Sequence, residues 1–453
     1  MNGVPSSVDA LLIEHNLFHR NRKWDSTENM TKSILSKAFA SNLKKGRLRI
    51  AFADGEVRDF GTPTKGFPEI SLRFTDTRVP WDIIMDSDLG MGEAYMNGRM
   101  IVEQGDILDF CTLLRANARY EDSGKKLSLS LPRRLANKAM FELKQFNNRV
   151  RSQKNAAHHY DIGNELYQLM LDHEHLQYSC AYWPQDNMTL GEAQEAKLIH
   201  IASKLGLADG QTVLDVGCGW GGMAIFLAKH FDVQVTAITL SVEQVDLARE
   251  RAEAAGVSGR VTFELVDYRE LARQDRRFDR IVSVGMLEHV GQPQFDRFFQ
   301  SCAELLKSDG VMLLHTIGRM GPPGLTDVFT SKYIFPGGYI PALSETMEAS
   351  EKSGLIASDV EMLRVHYAKT IRCWYENCVV NREAIVDMYD ERFFRMWTLY
   401  LAGAATMFEH GGMYNLQIQY TADRNALPLT RSYMHATEDT LKRSSKPIMF
   451  EDV

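Results

Sequence analysis

The chain has 453 residues, of which 44% are hydrophobic and 25% are charged. This length is too great for one ordinary hydrophobic core and predicts two domains, and the composition excludes disordered and fibrous proteins. The formal net charge of −7 excludes nucleic acid as the main partner, because proteins that bind nucleic acid usually carry a broad basic excess.

The start of the chain carries Asp9, Glu14 and scattered polar residues where a signal peptide would have a basic start and an apolar middle. No stretch of about 18 uncharged apolar residues follows, so no segment is predicted to span a membrane. The six cysteines are too few and too scattered for a disulfide framework, and their spacing does not fit a zinc site. We therefore expect a cytoplasmic protein with reduced thiols.

A small α+β domain is predicted for residues 1–122. Residues 43–60 alternate between polar and apolar side chains around an Ala-Asp-Gly turn, which is the pattern of a β-hairpin. Helical periodicity follows between residues 80 and 120, including the stretch 81–100.

A basic segment follows this domain, and we place a linker helix at residues 123–154. Between Lys125 and Lys154 the only acidic residue is Glu142, and apolar residues alternate with the many lysines and arginines. This pattern is typical of an amphipathic helix that lies on anionic lipid. A solvated helix between two domains is the alternative.

From Thr212 onwards, short β-rich segments alternate with helical ones. Continuous apolar strands with helical crossovers predict a doubly wound, Rossmann-like α/β sheet, and we assign residues 155–453 to this domain. Its ligand is expected at the carboxyl ends of the strands. An apolar helix and an alternating strand within residues 393–422 are predicted to complete the sheet. The other predicted strands lie at residues 212–216, 233–238, 260–266, 278–284 and 310–317.

The first of these strands leads into a glycine-rich loop, TVLDVGCGWGG. Glycines allow sharp turns and close approach of a ligand, and the following helix offers free amide hydrogens. The spacing of Gly217, Gly219 and Gly222 also satisfies the pattern of dinucleotide-binding enzymes, so the flanking residues must decide. A purely structural turn is a further alternative.

Three features favour S-adenosylmethionine: Asp215 before the glycines, the GCGWGG form of the loop and the series of later strand ends. The second strand ends in AITLSVEQ, where proteins that bind NAD more often carry an acid for the ribose. The third ends in Asp267 and Tyr268, which suit the adenine amine and the adenine ring. The predicted cofactor-binding residues are Tyr178, Ser179, Asp215, Gly217, Gly219, Thr239, Leu240, Gln244, Asp267 and Tyr268.

Five motifs resemble, in order and spacing, those of the cyclopropane fatty acid synthase family, which includes the mycolic acid cyclopropane synthases. The resemblance covers roughly residues 150–420, and LGMGEAYMNG at 89–98 extends it into the N-terminal domain, as in the longer bacterial phospholipid enzymes. The motifs are YSCAYW (178–183), VLDVGCGWGG (213–222), SVGMLEHVG (283–291), LLHTIG (313–318) and YIFPGGYIP (333–341).

The resemblance implies a class I methyltransferase that makes a cyclopropane ring on a phospholipid acyl chain. S-adenosylmethionine supplies the carbon, and a bound bicarbonate ion removes the proton that must leave before the ring closes. A coupled titration is predicted there, because a carboxylate beside an anion is costly unless one of them is protonated. The ligands of the ion that carry over are Cys180, Glu288, His315, Ile317 through its backbone, and Tyr367 in VHYAKT.

The resemblance also implies unsaturated acyl chains at the membrane surface as partners, a homodimer, and peripheral association with the inner face of the membrane. Aromatic residues are expected beside a carbocation and a sulfonium, although core packing is the alternative for each. The candidates are Tyr178, Tyr182, Trp183, Tyr333 and Phe335.

No metal is predicted, because the histidines of HHYDIGNELY (158–167), with His173 and His175, lack a third ligand at regular spacing. Two other functions stay open. One is a related enzyme that leaves a methyl-branched product, and the other is a non-catalytic protein that binds lipid or cofactor.

Overall fold

The computed structural model describes residues 28–87, 89–122 and 163–444, and the predicted linker at 123–154 lies outside these ranges. The chain divides into two compact units. One comprises Met1–Ser123 and Val386–Gly403, and the other comprises Gly124–Ile385 and Ala404–Val453. Residues 386–403, which the sequence analysis assigns to the catalytic domain, therefore pack with the N-terminal unit.

The N-terminal unit is built on a four-stranded sheet with the order β2-β1-β3-β4. The predicted hairpin is present as β1 (Gly46–Ala51) and β2 (Val57–Thr62), which pair antiparallel. Strand β3 (Glu69–Phe74) is parallel to β1 and antiparallel to β4 (Met100–Gln104). The helices of the N-terminal unit up to residue 122 are α1 (28–42), α2 (Val79–Met85), α3 (Gly90–Met96) and α4 (Ile107–Ala116).

The helical prediction for residues 81–100 is correct for two short helices and wrong at Met100, where β4 begins. A Cβ atom at Gly90 would lie 2.2 Å from the carbonyl oxygen of Asp82, so the glycine permits α3 to pack tightly against α2. Strand β4 depends on its pairing with β3, which local periodicity does not encode.

The second unit contains a seven-stranded sheet with the order β10-β11-β9-β8-β5-β6-β7. Neighbours from β9 to β7 in this order are parallel, whereas β11 is antiparallel to both β9 and β10. All the predicted strands are present, and β10 is an addition. The strands are β5 (Thr212–Val216), β6 (Gln234–Thr239), β7 (Val261–Leu265), β8 (Phe278–Val284), β9 (Leu306–Arg319), β10 (Ile356–Met362) and β11 (Met413–Thr421).

Helices cover both faces of this sheet, and each face has its own hydrophobic core. The predicted doubly wound α/β class is thus confirmed. The helices from residue 163 onwards are α5 (Asn164–Met170), α6 (Leu190–Leu205), α7 (Gly222–His230), α8 (Val242–Ala254), α9 (Tyr268–Leu271), α10 (Leu287–Val290), α11 (Phe295–Leu305), α12 (Val328–Tyr333), α13 (Leu343–Lys352), α14 (His366–Val380), α15 (Arg382–Met388), α16 (Glu391–Glu409) and α17 (Ser432–Ser444).

Helix α6 has well-defined ends that the sequence specifies. Thr189 and Glu192 form a reciprocal capping box at its start, and Gly206 ends it in the left-handed region at φ 57°. Among the described helices, none is both long enough and apolar enough to cross a membrane.

Candidate active site

A cavity of about 180 Å³ lies at the carboxyl ends of β5, β6 and β8. The chain leaves β5 towards β6 on one side and returns to β8 on the other, and such a switch point opens a crevice at the strand ends. All ten predicted cofactor-binding residues line this cavity: Tyr178, Ser179, Asp215, Gly217, Gly219, Thr239, Leu240, Gln244, Asp267 and Tyr268.

The glycine loop forms the floor of the cavity in a conformation that requires glycine. Gly217 and Gly219 have φ values of 84° and 52°. A Cβ atom at Gly217 would lie 2.8 Å from Cγ of Met286, whereas one at Gly219 would meet no atom within 4 Å. Gly217 therefore allows close packing, and Gly219 leaves open space.

We predict that Gly217→Ala weakens binding of S-adenosylmethionine at least about tenfold. The new Cβ atom must move Met286, which lines the cavity, and a loss of only about 1.4 kcal/mol in binding free energy gives a tenfold loss of affinity. The control is Gly210→Ala, since Gly210 has a similar φ of 77° but no atom within 4 Å of a new Cβ. Both variants bear a left-handed backbone penalty of about 1–2 kcal/mol, visible in thermal unfolding. Equal affinity of the two variants by titration calorimetry would contradict the prediction.

Two buried polar atoms at the cavity lack hydrogen-bond partners within the described part of the chain. They are Oδ2 of Asp215, which is an acceptor, and Nε2 of Gln244, which is a donor. The other end of the Gln244 amide, Oε1, accepts from Thr239 Oγ1 at 2.7 Å. Burial raises the pKa of Asp215 to about 7, although the positive charge of Lys197 opposes this shift. Because buried polar groups are normally paired, these atoms fit a ligand with an ammonium group and an oxygen acceptor, as S-adenosylmethionine has.

The far end of the cavity is formed by α9 and the residues before it. Asp267 accepts from the guanidinium of Arg269 at 2.7 Å and caps α9 through the Arg269 amide. The buried ring of Tyr268 packs edge-on against Phe298, 5.4 Å between centroids. Arg269 also lines the cavity, and sequence reasoning missed it although it directly follows Asp267 and Tyr268.

Helix α6 holds the wall of the cavity at residues 177–179. Gln194 Nε2 donates to the carbonyl oxygens of Gln177 and Ser179, at 3.3 and 3.0 Å. Lys197 Nζ donates to the side chain of Gln177 and to Ser179 Oγ, at 3.0 Å for the latter. Sequence reasoning missed both residues, and the available signal was a polar pair three residues apart on a face of α6 that also carries Leu198 and Ile201.

Glu288 and Ile317 are in direct contact. The backbone amide of Ile317 donates to Glu288 Oε1 at 2.6 Å, and Glu288 Oε2 is buried without a hydrogen-bond partner among the described residues. Burial raises the pKa of Glu288 to about 7, although the bond from Ile317 opposes the shift. Glu288 is thus a buried carboxyl group whose pKa lies near neutral pH.

His315 lies two residues before Ile317 on β9, and its side chain is directed at β11. Its Nε2 is 2.7 Å from Asn415 Nδ2 and its Nδ1 is 3.1 Å from Gln417 Nε2. Burial lowers the pKa of His315 well below its ordinary value, and the positive charges of α6 lower it further. Both ring nitrogens therefore have protein partners, and the ring is neutral.

Cys180 and Tyr367 are supported by α14. The amide of Ala181, next to Cys180, donates to Thr370 Oγ1 at 3.1 Å, one turn along the helix from Tyr367. Burial raises the pKa of the Cys180 thiol, which argues against a nucleophilic thiolate. The ring of Tyr367 packs 5.6 Å from Trp374, whose other neighbour is the cavity residue Tyr178 at 5.0 Å.

The aromatic candidates fall into different environments. Tyr178 lines the cavity, and the indole of Trp183 donates to Thr370 Oγ1 at 3.0 Å. Tyr182 lies between the parallel rings of His200 and His366. Phe335 contacts His289, and Tyr333 contacts Phe329 on α12. Within the described ranges, no three His, Cys, Asp or Glu side chains are grouped so as to hold a metal ion.

Known proteins resemble this chain over most of its length. A family described as mycolic acid cyclopropane synthetase matches residues 147–418, and a domain family of unknown function matches residues 32–121. The cyclopropane-fatty-acyl-phospholipid synthase of Escherichia coli strain K12 is 40% identical over 332 residues, 72% of this chain and 81% of that protein. A probable fatty acid methyltransferase of Pseudomonas putida is 34% identical over 400 residues, 86% of this chain and 96% of that protein. The crystal structure of mycolic acid cyclopropane synthase CmaA1 complexed with SAH and CTAB has a TM-score of 0.56 at 34% identity, and covers 59% of this chain and 98% of that chain.

Proposed function

Because the chain belongs to the family of mycolic acid cyclopropane synthetases, we propose that it builds a cyclopropane ring on the cis double bond of a phospholipid acyl chain. It is an S-adenosylmethionine-dependent methyltransferase with the class I fold. In our proposal, the ten cavity residues predicted from the sequence bind S-adenosylmethionine, and the acyl chain approaches the sulfonium methyl from the side of Tyr178. The name of the relative from Escherichia coli supports a phospholipid as the substrate.

The proposed reaction needs one base and no redox partner. The π electrons of the alkene attack the sulfonium methyl, the carbon–sulfur bond breaks, and S-adenosylhomocysteine leaves a carbocation on the lipid. A base then takes a proton from the new methyl group, and the electrons of that C–H bond close the ring. The acyl chain gains one carbon and two hydrogens.

The observation that carries this proposal is the buried carboxyl of Glu288. Its Oε1 is held by the Ile317 amide, its Oε2 lacks a described partner, and its pKa is about 7. A general base works best when its pKa is near the operating pH and water is excluded. We propose that ionised Glu288 receives the substrate proton directly, or that protonated Glu288 holds a bound ion that receives it.

A bicarbonate ion fits these residues only when Glu288 is protonated. In that state its unpartnered Oε2 offers a donor to an anion. The Ile317 amide donates to Glu288 Oε1 and the Cys180 thiol to the carbonyl oxygen of Ala181, so each would have to redirect its hydrogen to contact the ion. The bound ion would supply a second oxygen base beside the carbocation. We propose Cys180, Glu288, Ile317 and Tyr367 as its contacts, with His315 supporting them from β9.

We further propose that the N-terminal unit presents the lipid and that the basic segment at 123–154 meets anionic headgroups. The dense positive charge of that segment supports this assignment, since each Lys or Arg near an anionic surface contributes about 1 kcal/mol. We propose that the enzyme acts at the inner face of the membrane, and, from its resemblance to the family, that it acts as a homodimer. Sedimentation with anionic and neutral vesicles tests the binding to anionic headgroups.

Product analysis tests the proposed function. We expect purified protein, S-adenosylmethionine and vesicles of unsaturated phospholipid to yield a lipid with one more carbon and two more hydrogens, and with cyclopropane proton signals in the NMR spectrum. The matched control is vesicles of saturated phospholipid, which offer the same headgroup and no alkene. The same gain in mass without ring signals would contradict ring closure.

A fatty-acyl methyltransferase that leaves a methyl branch is the second candidate. The relative from Pseudomonas putida, described as a probable fatty acid methyltransferase, matches more of this chain than the relative from Escherichia coli does. Both activities pass through the same carbocation and differ in which proton it loses: loss from the new methyl group closes the ring, whereas loss from a neighbouring chain carbon leaves an unsaturated methyl branch of the same mass. The ring signals in the product decide between them.

A further inference from the structure

A polar cluster lies beside His315, and the proposed function does not use it; three of its members are buried and the two glutamates are partly exposed. Its members are Lys204 and His200 from α6, Glu361 from β10, Gln417 from β11 and Glu438 from α17. Burying Lys204, His200 and Gln417 is costly unless each is paired. The hydrogen bonds of the cluster therefore indicate which nitrogen of the neighbouring His315 carries a hydrogen.

The hydrogen bonds from Lys204 have a fixed direction. Its Nζ donates to the Glu361 carboxylate and, at 2.7 Å, to Gln417 Oε1. An ammonium group has three donors and no acceptor, so Gln417 must turn its oxygen towards Lys204. The amide nitrogen of Gln417 then faces His315 Nδ1 at 3.1 Å and donates to it.

The position of the remaining proton on His315 follows from this bond. A neutral imidazole that accepts at Nδ1 carries its hydrogen on Nε2. Asn415 Nδ2 lies 2.7 Å from Nε2, and a ring that accepted at both nitrogens would be an anion. The Asn415 amide must therefore turn so that its oxygen accepts from Nε2–H, since either orientation of an amide has the same shape.

The charges around His315 keep the ring neutral. Burial contributes most to its lowered pKa, the cations of α6 lower it further, and Glu361 opposes them. The two strands that flank β9 present no charged side chain beside the ring, because Gln417 and Asn415 come from β11 and Val284 from β8. The titratable groups that face this region are Lys197, His200, Lys204, Glu361 and, on the side of Ile317, Glu288.

Lys204 is itself held by the rest of the cluster. His200 lies between two carboxylates, with Nε2 at 2.7 Å from Glu361 and Nδ1 at 2.6 Å from Glu438. Burial opposes ionisation of Glu361, but the bonds from His200 and Lys204 lower its pKa to about 2. Carboxylates only accept hydrogen bonds, so a His200 nitrogen that carries a hydrogen donates to the carboxylate it faces.

We propose that Lys204, Glu361 and His200 are positioning residues that act through Gln417 to hold His315 as the neutral tautomer with its hydrogen on Nε2. In this form His315 donates a hydrogen bond and does not take up the substrate proton, which leaves that task to Glu288 and its ion. This inference rests on the proposed function, because it assigns the part that His315 has in the base assembly.

Nitrogen NMR of the full chain with isotope-labelled histidine tests the tautomer directly, with the His315 signal assigned by its loss in His315→Gln. We expect a protonated Nε2 and an unprotonated Nδ1 over the pH range in which the enzyme is active. A hydrogen on Nδ1 in the unmodified protein would overturn the proposal. This result does not depend on activity, so a protein with the expected tautomer that makes no cyclopropane would refute the proposed function alone.

The variant Gln417→Glu keeps the shape of the side chain but removes the donor that faces His315 Nδ1. A carboxylate accepts from both Lys204 and His315, so His315 must place a hydrogen on Nδ1 and its pKa must rise. We expect a fall in kcat of roughly tenfold to a hundredfold near neutral pH, the range found for partners of ligand histidines in metal sites, and an acid limb of the pH–rate profile displaced to higher pH.

The matched control is Gln419→Glu, two residues further along β11. Gln419 is also buried, and it donates to the Lys204 carbonyl and, at 2.6 Å, to Tyr433. It pairs with Leu313 on β9 and has no hydrogen bond to His315 among the described residues, so this variant is expected to lose stability without a change of tautomer or of the pH–rate profile. The same tautomer and profile in both variants would mean that Gln417 only supports the fold. If neither variant folds, the spectrum of the unmodified protein still decides.

Discussion

Glu288→Gln is expected to lower product formation by about 100-fold to 10,000-fold, the range for loss of a general base. Glutamine retains an oxygen that accepts from the Ile317 amide, but its nitrogen cannot accept the substrate proton. Glu288 does not line the cofactor cavity, so S-adenosylmethionine should still bind. The measurement is the rate of cyclopropane formation, together with calorimetric titration of the cofactor.

The control for this variant is Glu345→Gln on α13. Glu345 also accepts from a backbone amide, that of Ala342 at 2.8 Å, and from the hydroxyl of Tyr339. It lies outside the proposed base assembly, so its variant should keep its turnover. Unchanged turnover in Glu288→Gln would remove Glu288 from the mechanism.

Glu288→Gln should also change how the free energy of unfolding depends on pH. The folded protein holds the Glu288 proton up to about pH 7, whereas the unfolded chain releases it near the ordinary value of 4.5. The folded state therefore binds more protons in this window, and its stability falls as the pH rises through it. Glu288→Gln lacks this loss, so its free energy of unfolding should gain about 3 kcal/mol relative to the unmodified protein between the two ends of the window. Denaturant titrations at several pH values measure the gain.

Asp215→Asn is expected to have the second large effect, on cofactor affinity. The unpartnered Oδ2 of Asp215 is the buried acceptor available to the ammonium group of S-adenosylmethionine, and its loss should weaken binding by about tenfold to a hundredfold at pH 8, since hydrogen bonds to charged groups contribute about 1.5–3 kcal/mol. Because burial raises the pKa of this carboxyl to about 7, the cation must displace a proton when it binds below that pH. Affinity should therefore rise with pH through about 7 in the unmodified protein.

Calorimetry in two buffers with different enthalpies of ionisation detects the released proton. We expect proton release near pH 6 in the unmodified protein and much less in Asp215→Asn, although Lys197, whose pKa burial lowers to about 7, adds its own titration nearby. The control is Asp267→Asn, which removes a carboxylate that is already paired with Arg269. Asp267→Asn is expected to release as many protons as the unmodified protein, and the same release in Asp215→Asn would mean that the proton does not come from Asp215.

Much of the candidate site follows from local sequence. The strand, glycine loop and helix around Asp215, and the strand ends at Thr239 and Asp267, are contiguous segments whose hydrophobic pattern sets where each strand ends. In a parallel sheet those ends lie at one edge. Eight of the ten predicted cofactor-binding residues consequently share one cavity, and Tyr178 and Ser179 join them from outside the strands.

Contacts across the fold were not predictable in this way. Lys197 and Gln194 hold residues 177–179 from a helix, although neither carries a motif of its own. Strands β4 and β10 depend on partners elsewhere in the chain for their hydrogen bonds. Residues 386–403 join the N-terminal unit, although they follow the second unit without a break in composition.

The sequence by itself determined the doubly wound α/β class, the glycine loop and the residue types at the strand ends, because each depends on the periodicity or backbone freedom of a short segment. Only the tertiary structure decided that the side chain of His315 faces Gln417 and Asn415, and that Glu288 meets the Ile317 amide. The physical reason is that a buried polar group must find its hydrogen-bond partners among whatever the strand register and the covering helices bring near. Those partners are 29 to 102 residues away in the chain, and they set the protonation state of each group.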